Sequence, residues 1–97
     1  MNYRVLADAF EDTREIDDWV LEHFGADFAD RTAKNLYDTF ELLAKHPGMG
    51  TVRPDVMPEP FRFFLERPYW IVYEPGEPLL IHRVFHAARD LNRLNLK

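Results

Sequence analysis

The strongest constraint on the fold of this chain is a pair of amphipathic helical segments separated by a single glycine. The first segment precedes Gly25 and carries its apolar face on Phe10, Ile16, Trp19, Val20, His23 and Phe24. The second runs from Ala26 to Lys45, with an apolar seam of Ala29, Ala33, Leu36, Phe40 and Leu43. Glycine is favoured just after a helix end. A link this short predicts an antiparallel helical hairpin.

The segments that flank the hairpin follow from local signals. Residues 3–7 suit a short first strand, and Asp8 with Glu11 has the spacing of a capping box, which predicts a helix start at Asp8. Residues 47–60 hold four of the seven prolines and two of the four glycines, so they are predicted to be a loop. Its first residues, 47–50, are predicted to form a tight turn whose glycines adopt backbone angles that a side chain would strain.

Three strand signals follow in quick succession, over residues 61–66, 69–74 and 79–86. The links between them are short, so all three are predicted to pair antiparallel. Residues 90–96 are predicted to add a last short helix. The order β-α-α-β-β-β-α predicts an α+β fold, a helical hairpin packed on a small antiparallel sheet. At 97 residues, without repeats or linkers, residues 1–97 are predicted to form a single domain.

The composition narrows the class of protein. A net charge of −5 argues against nucleic acid as a direct partner, because phosphate binding depends on a basic surface. The chain has no cysteine, which rules out disulfides and thiolate metal sites and fits a reducing cytoplasm. No apolar run suits a signal peptide or a membrane span. These features predict a soluble cytoplasmic protein with neither membrane contact nor cofactor.

The charges are distributed unevenly along the chain. Residues 1–47 hold eleven acidic and five basic side chains, whereas residues 48–97 hold six acidic and seven basic ones. Six of those seven are arginines: Arg53, Arg62, Arg67, Arg83, Arg89 and Arg93. The planar guanidinium suits bidentate recognition of carboxylate or phosphate. The alternative is that strands and loops simply tolerate arginine.

The last strand carries two histidines and an arginine among apolar residues. His82 and His86 lie about 13 Å apart on a strand, too far to share a metal ion, so no metal site is predicted. A half-buried His82 bonded to backbone is the simpler interpretation. Arg83 would be costly to bury unpaired, so it either pairs with Glu66, Glu74 or Asp90 or lies at a functional surface.

Side-chain alternation divides this strand into two sets. The first set is Leu79, Ile81, Arg83 and Phe85, and the second is Leu80, His82, Val84 and His86. Alternation alone does not decide which set faces the helices.

Three segments resemble a known family. Residues 79–91, LLIHRVFHAARDL, resemble the closing strand of ParE-type toxins of the RelE/ParE superfamily, whose pattern includes an arginine, a histidine and an Arg-Asp pair. Residues 42–54 resemble the family's helix end and following loop, and Phe61-Arg62 with residues 69–73 resembles its paired central strands. This resemblance implies a toxin of a type II toxin–antitoxin pair. The implied partner is an antitoxin whose disordered segment folds onto the toxin. The implied target is DNA gyrase.

Two other functions stay open. The RelE branch cleaves messenger RNA at the ribosome, and by resemblance Arg62 and Arg83 would stabilise charge while His86 acts as acid or base. That branch is basic and lysine-rich, however, whereas this chain is acidic with three lysines. The third possibility is a non-toxic interaction domain.

The residues predicted to carry function are few. In a ParE-like toxin no residue is catalytic, and the predicted partner-binding residues are Arg53, Arg62, Arg83, His86 and Arg89. The aromatic residues Phe63, Phe64, Trp70 and Phe85 are predicted to be core rather than a binding platform. Stacking on RNA would need exposed aromatics with basic neighbours, and Phe64 beside Arg62 is the one such pair in the strands.

Overall fold

The computed structural model describes residues 2–89 as two helices packed on one face of a five-stranded sheet. This confirms the predicted α+β fold with its helical hairpin. The strands are β1 (Tyr3–Val5), β2 (Thr51–Val52), β3 (Arg62–Glu66), β4 (Tyr69–Glu74) and β5 (Leu79–His86); the helices are α1 (Ala7–Phe24) and α2 (Ala26–Lys45). A single turn of 3-10 helix, Pro47–Met49, follows α2. The helix predicted over residues 90–96 lies outside the described residues.

The sheet is mixed rather than wholly antiparallel. Its strand order is β1-β5-β4-β3-β2, and β1 runs parallel to β5, with Tyr3 opposite Leu79. Parallel neighbours need a long crossover, and here the helical hairpin and the other strands lie between β1 and β5 in the chain. The predicted loop also contains β2, a two-residue strand that pairs antiparallel with β3. The central strands pair antiparallel, as expected.

The hairpin turns on Gly25. This glycine has φ 91°, a left-handed angle that favours glycine, and it joins the two helices with no other residue between them. Its N–H donates to the carbonyl of Leu21 at 3.1 Å, and its own carbonyl accepts the N–H of Ala29 at 3.1 Å. One residue therefore both ends α1 and begins α2.

The start of α1 differs from the prediction. The helix begins at Ala7, its N-cap is Leu6, and no side chain caps it, so the capping box at Asp8 was wrong. The N–H of Leu6 donates to the carbonyl of Ile81 at 3.0 Å, so the chain passes directly from the sheet into the helix. Asp8 lies in the first turn, where a negative charge is favourable near the helix N-terminus.

β5 contains one residue that has no partner opposite it on β4. Val72 lies opposite Arg83, but the next residue, Tyr73, lies opposite Ile81, so His82 is the extra residue of a β-bulge. The bulge changes the phase of side-chain alternation partway along the strand.

The change of phase explains why no single alternation fits β5. Leu79, Ile81 and Val84 all belong to the core beneath the helices, although alternation had put Val84 in the opposite set. Phe85 belongs instead to a second, smaller core on the other face of the sheet. The two predicted faces were therefore wrong beyond the bulge.

The second core is covered by the long loop between β2 and β3. Its buried members are Phe63, Val72 and Phe85, with Val56, Met57, Phe61 and Trp70 packed against them. Two consecutive residues of β4, Ile71 and Val72, are fully buried in opposite cores. Both faces of the central strands are thus covered, which explains why they are almost continuously apolar.

The turn after α2 is tied to the sheet by a buried tyrosine. The Tyr73 hydroxyl donates to the carbonyl of Pro47 at 2.7 Å and accepts the N–H of Gly50 at 2.8 Å. Arg62 donates through Nη1 to the carbonyl of Gly50 at 2.8 Å. Burial raises the pKa of Tyr73 above its ordinary value, although the bond from Gly50 and the charge of Arg62 act in the opposite direction.

The contact between Gly50 and Tyr73 predicts the effect of adding one methyl group. Gly50 has φ −77°, so the expected backbone strain was wrong, but a Cβ there would lie 2.5 Å from the Tyr73 hydroxyl oxygen. We expect Gly50→Ala to lower the free energy of unfolding by about 1–3 kcal/mol, as overpacking does. Urea denaturation measures it. In the matched control, Gly48→Ala, the new Cβ has no atom within 4 Å, and equal effects of the two substitutions would contradict the prediction.

The raised pKa of Tyr73 predicts an alkaline loss of stability. Because the folded state holds the phenolic proton more tightly than an unfolded tyrosine with a pKa of 10.0, this stability is complete below pH 10 and is lost as pH rises through the folded pKa. Denaturant titrations of wild type and Tyr73→Phe should therefore converge above about pH 10. The pKa of Tyr3 is also raised, but Tyr3 is present in both proteins. A stability difference independent of pH would contradict the assignment.

Candidate functional site

The five predicted partner-binding residues lie in three separate parts of the molecule. Arg53 and Arg62 lie near the ends of β2 and β3, Arg83 lies in β5, and His86 and Arg89 lie together at the end of β5. Each makes a contact that the structure defines, and their role in binding a partner stays a prediction.

Arg83 forms an ion pair with Asp12 of α1. Its Nε lies 2.7 Å from Oδ2 and its Nη2 lies 3.0 Å from Oδ1, a bidentate contact. Asp12 also accepts the N–H of Val84 through Oδ2 at 2.9 Å, and its side chain is only 5% exposed. The hydrogen bond to Asp12 raises the pKa of Arg83 further. An ion pair was one of the two alternatives that the sequence left open, but its partner is Asp12, and the candidates Glu66 and Glu74 were wrong.

Two of the three carboxylates first considered for Arg83 make other contacts. Glu66 accepts a hydrogen bond from the Thr39 hydroxyl at 2.9 Å. Glu74 lies 3.0 Å from Nε2 of His82, so His82 contacts a carboxylate rather than the backbone that was predicted. Asp90 lies outside the described residues.

The geometry of the sheet edge explains the choice of Asp12. β1 covers β5 only as far as the pair Val5–Ile81, and beyond it the outer edge of β5 would present bare N–H groups. α1 follows β1 directly and carries Asp12 past this edge, where the carboxylate accepts the N–H of Val84. One acidic side chain thus continues the hydrogen bonding of the sheet and neutralises Arg83.

Arg53 and Arg62 make weaker or more local contacts. Arg53 pairs with Asp55 at 3.1 Å, and both side chains are largely exposed, so the pair contributes little to stability. Arg62 is half-buried and holds the Gly50 carbonyl. Arg62 therefore contributes to the structure of the loop, whatever else it binds.

His86 lies at the end of β5, on the face towards the helices. Its Nδ1 accepts the backbone N–H groups of Ala88 at 3.1 Å and Arg89 at 2.9 Å, so the neutral ring carries its proton on Nε2. The ring meets the Tyr69 ring edge-on, with centroids 5.6 Å apart. These two backbone bonds turn the chain sharply after the strand.

His86 closes one end of an apolar depression of about 350 Å³, which we call the aromatic cleft. The cleft lies between the helices and the β3–β4 turn, and its lining includes Trp19, Phe24, Phe28, Asn35, Glu66, Arg67, Tyr69 and His86. Phe24 and Phe28 are 58% and 45% exposed, although both are large apolar side chains. An exposed group of aromatic residues around a concave surface is typical of a binding site.

Arg89 packs on the wall of this cleft. Its guanidinium lies 4.2 Å from the centre of the Trp19 ring, a cation–π contact, and the His23 ring stacks on the same indole at 4.0 Å. The segment after β5 is thereby held against α1.

The arrangement does not resemble an assembled nuclease site. Arg62 lies opposite Tyr73 and His86 lies opposite Tyr69, so they flank opposite ends of β4 and are separated by about 13 Å along the strand direction alone. Arg83 is turned towards Asp12. Across residues 2–89, no three histidine or acidic side chains converge as a metal site would require, and neither helix is long and apolar enough to cross a membrane.

The aromatic cleft was not predicted from the sequence. Trp19 and Phe24 were expected on the single apolar face of the first helix, but of the residues predicted for that face only Ile16 and Val20 are buried, and Phe10 and Phe24 are exposed. The sequence did contain an indication of the cleft. The apolar residues of α1 cover more of the helix surface than the single face that packs on the sheet, so some of them had to be exposed.

Comparison with protein families finds one match. A family model described as "ParE toxin of type II toxin-antitoxin system, parDE" matches residues 3–91. Among solved structures, the chain is similar to one described as "Chromosomal ParDE TA system from P. aeruginosa", with a TM-score of 0.74 and 22% identity. That match covers 89% of this chain and 95% of the other, and at this identity it supports the fold. No curated protein matches the chain.

The buried ion pair predicts that substitutions of two neighbouring acidic residues differ greatly in their effect on the free energy of unfolding. Asp12→Ala leaves Arg83 and the Val84 N–H without their carboxylate, so we expect a loss of about 3–5 kcal/mol in the free energy of unfolding. Glu11→Ala removes an exposed pair with Arg14 and should cost about 1 kcal/mol or less. Thermal and urea denaturation of both variants would measure this, and similar losses would show that the Asp12 contact is not structural.

Proposed function

This chain belongs to the ParE toxin family of type II toxin–antitoxin systems, and on that basis we propose that it poisons DNA gyrase and is neutralised by a cognate antitoxin. The action is binding rather than catalysis, and it takes place in the cytoplasm, where gyrase acts.

The observation that carries this proposal is the aromatic cleft. Tryptophan, tyrosine and arginine are the residues that dominate the energetics of protein–protein interfaces, and the cleft and its wall combine Trp19 and Tyr69 with Arg67 and Arg89. The exposed Phe24 and Phe28 enlarge its apolar surface. A protein surface that inserts an apolar side chain here would cover aromatic area that now faces water.

Charge supports protein binding over RNA cleavage. A ribonuclease must hold a polyanion, whereas this chain has a net charge of −5. Cleavage by attack of the 2′-hydroxyl also needs an acid, a base and cationic stabilisation in one place. The residues suited to those roles, Arg62, Arg83 and His86, have contacts in three different parts of the sheet.

DNA gyrase as the target can be tested with a supercoiling assay. Purified protein should inhibit supercoiling by gyrase, and the double substitution Phe24→Ser with Phe28→Ser should weaken that inhibition by about tenfold or more, because truncated anchor residues cost about 2 kcal/mol or more. Leu42→Ser is the matched control, since Leu42 is 42% exposed on α2 but does not line the cleft. Inhibition that is insensitive to the double substitution would exclude the cleft as the contact surface.

The ribonuclease alternative gives a different result in a translation extract. If the protein cleaved ribosome-bound messenger RNA, His86→Gln should reduce the rate by about 10²–10⁴-fold, the usual contribution of a positioned acid or base. We expect no cleavage by the wild-type protein. Cleavage that is lost in His86→Gln would overturn the gyrase proposal.

The antitoxin half of the proposal is tested in cells. Expression of this chain alone should arrest growth, and co-expression of the small protein encoded next to it should restore growth. Normal growth during high-level expression of the wild-type chain would contradict a toxic function.

A further inference from the structure

We infer that the aromatic cleft selects a protein segment in which carboxylate side chains flank an apolar one. This deepens the proposed function, on which it rests for one point only: that the segment belongs to gyrase. The preference for carboxylate follows from the arginines around the cleft, and it is tested first without gyrase.

Three arginines from three different parts of the chain lie around the cleft, and we call them the arginine rim. Arg31 of α2 lies over the Phe28 ring, 5.4 Å from its centre. Arg67, in the turn between β3 and β4, lines the cleft directly. Arg89, after β5, lies over the Trp19 ring at 4.2 Å. The rim thus places its guanidinium groups beside the aromatic rings that a partner would contact.

No carboxylate pairs with the rim within residues 2–89. The ion pairs in that part of the chain use other cations, namely Arg14, Lys34, Arg53, His82 and Arg83. All three rim residues are exposed, so their N–H donors are accessible to a partner. Because acidic side chains outnumber basic ones 17 to 12, a group of arginines without a carboxylate is notable in this chain.

The lining of the cleft contributes little negative charge. Glu66 is the one acidic residue among the described residues that line it. Its carboxylate accepts the Thr39 hydroxyl at 2.9 Å, which holds it against α2, and it forms no ion pair with the adjacent Arg67. The cleft and its rim together therefore present more positive than negative charge.

A carboxylate fits this combination of groups. The planar guanidinium donates two parallel hydrogen bonds to a carboxylate, as Arg83 does to Asp12 in the same molecule. An apolar side chain of the partner would enter the cleft, and carboxylates on neighbouring residues would meet the rim. A basic segment would be repelled by the rim, which gives the cleft a means of discrimination.

Arginines beside aromatic rings also suit single-stranded nucleic acid. A nucleic acid is a continuous polyanion, however, and it would extend from the cleft across the helical hairpin. Residues 7–45 hold eleven acidic and four basic side chains, a net charge of −7, which would repel it. A protein segment can confine its negative charge to the residues that meet the rim, so we favour a protein.

The inference is tested with the blocked peptide acetyl-Glu-Leu-Phe-Glu-amide and with two analogues that carry glutamine or lysine in place of glutamate. In NMR titrations the indole N–H signal of Trp19 should report binding. We expect affinity for the glutamate peptide to be about fivefold or more above that for the glutamine peptide, an advantage that salt reduces. Trp70 is the internal control, because it packs in the second core on the other face of the sheet.

Four results of this titration would overturn the inference. They are equal affinity for the glutamate and glutamine peptides, tighter binding of the lysine peptide, no movement of the Trp19 signal with any peptide, and tighter binding of a short oligothymidylate than of the glutamate peptide. The last result would identify nucleic acid as the occupant.

Variants of the rim distinguish it from diffuse attraction. Arg31→Gln and Arg67→Gln should each weaken binding of the glutamate peptide about threefold or more and leave that of the glutamine peptide unchanged. Arg4→Gln is the matched control, because Arg4 is exposed on β1, pairs with no carboxylate within residues 2–89 and does not line the cleft. An equal effect of Arg4→Gln, or no effect of either rim variant, would overturn the inference.

A supercoiling assay connects the rim to the target. Arg67→Glu should weaken gyrase inhibition about tenfold or more, whereas Arg4→Glu should not. If wild type inhibits gyrase and Arg67→Glu inhibits it equally, the rim does not select the target and the inference is wrong. If wild type does not inhibit gyrase at all, the proposed target is refuted, and the peptide titrations alone decide whether the cleft prefers carboxylate.

Discussion

The contact of Asp12 with Arg83 and Val84 holds the helical layer to the sheet. β1 is too short to cover β5, and α1 completes the edge with one carboxylate that accepts three hydrogen bonds. Burying a charge is costly unless it is paired and hydrogen-bonded. Here the opposite charges of Asp12 and Arg83 offset the cost of burying each other. The position of α1 relative to β5, and with it the shape of the aromatic cleft, depends on this contact.

Elsewhere in the chain, the residues that hold the fold together are distinct from the apolar residues that are left exposed. Arg62 and Tyr73 hold the turn after α2, while the bulge at His82 lets β5 contribute to cores on both faces of the sheet. The large apolar residues left outside these cores include Phe10, Leu21, Phe24 and Phe28, all on the helices. Exposed apolar residues of this kind are typical of surfaces that bind other proteins.

The features predictable from sequence were those with a local cause. Helical periodicity, Gly25 and the proline-rich loop gave the hairpin and the central strands, since each signal acts within a few residues. The pairing of Arg83 with Asp12 joins residues 71 positions apart, so no local pattern reveals it. The bulge at His82 likewise has no signature in the side chains, yet it shifts every residue after it. For the candidate site, the spread of apolar residues around α1 was visible, but only the position of the sheet decides which of them are left exposed.

The single-residue link at Gly25 has a mechanical consequence. Because Gly25 is the one residue between α1 and α2, a shift of either helix must move the other. The spacing between the helices at this end is therefore fixed. The hydrogen bonds on both sides of Gly25 reinforce this coupling. The distance between the two helices near Gly25 is therefore determined by the backbone and not by side-chain packing. Lengthening the link by even one residue would change the spacing of the two helices.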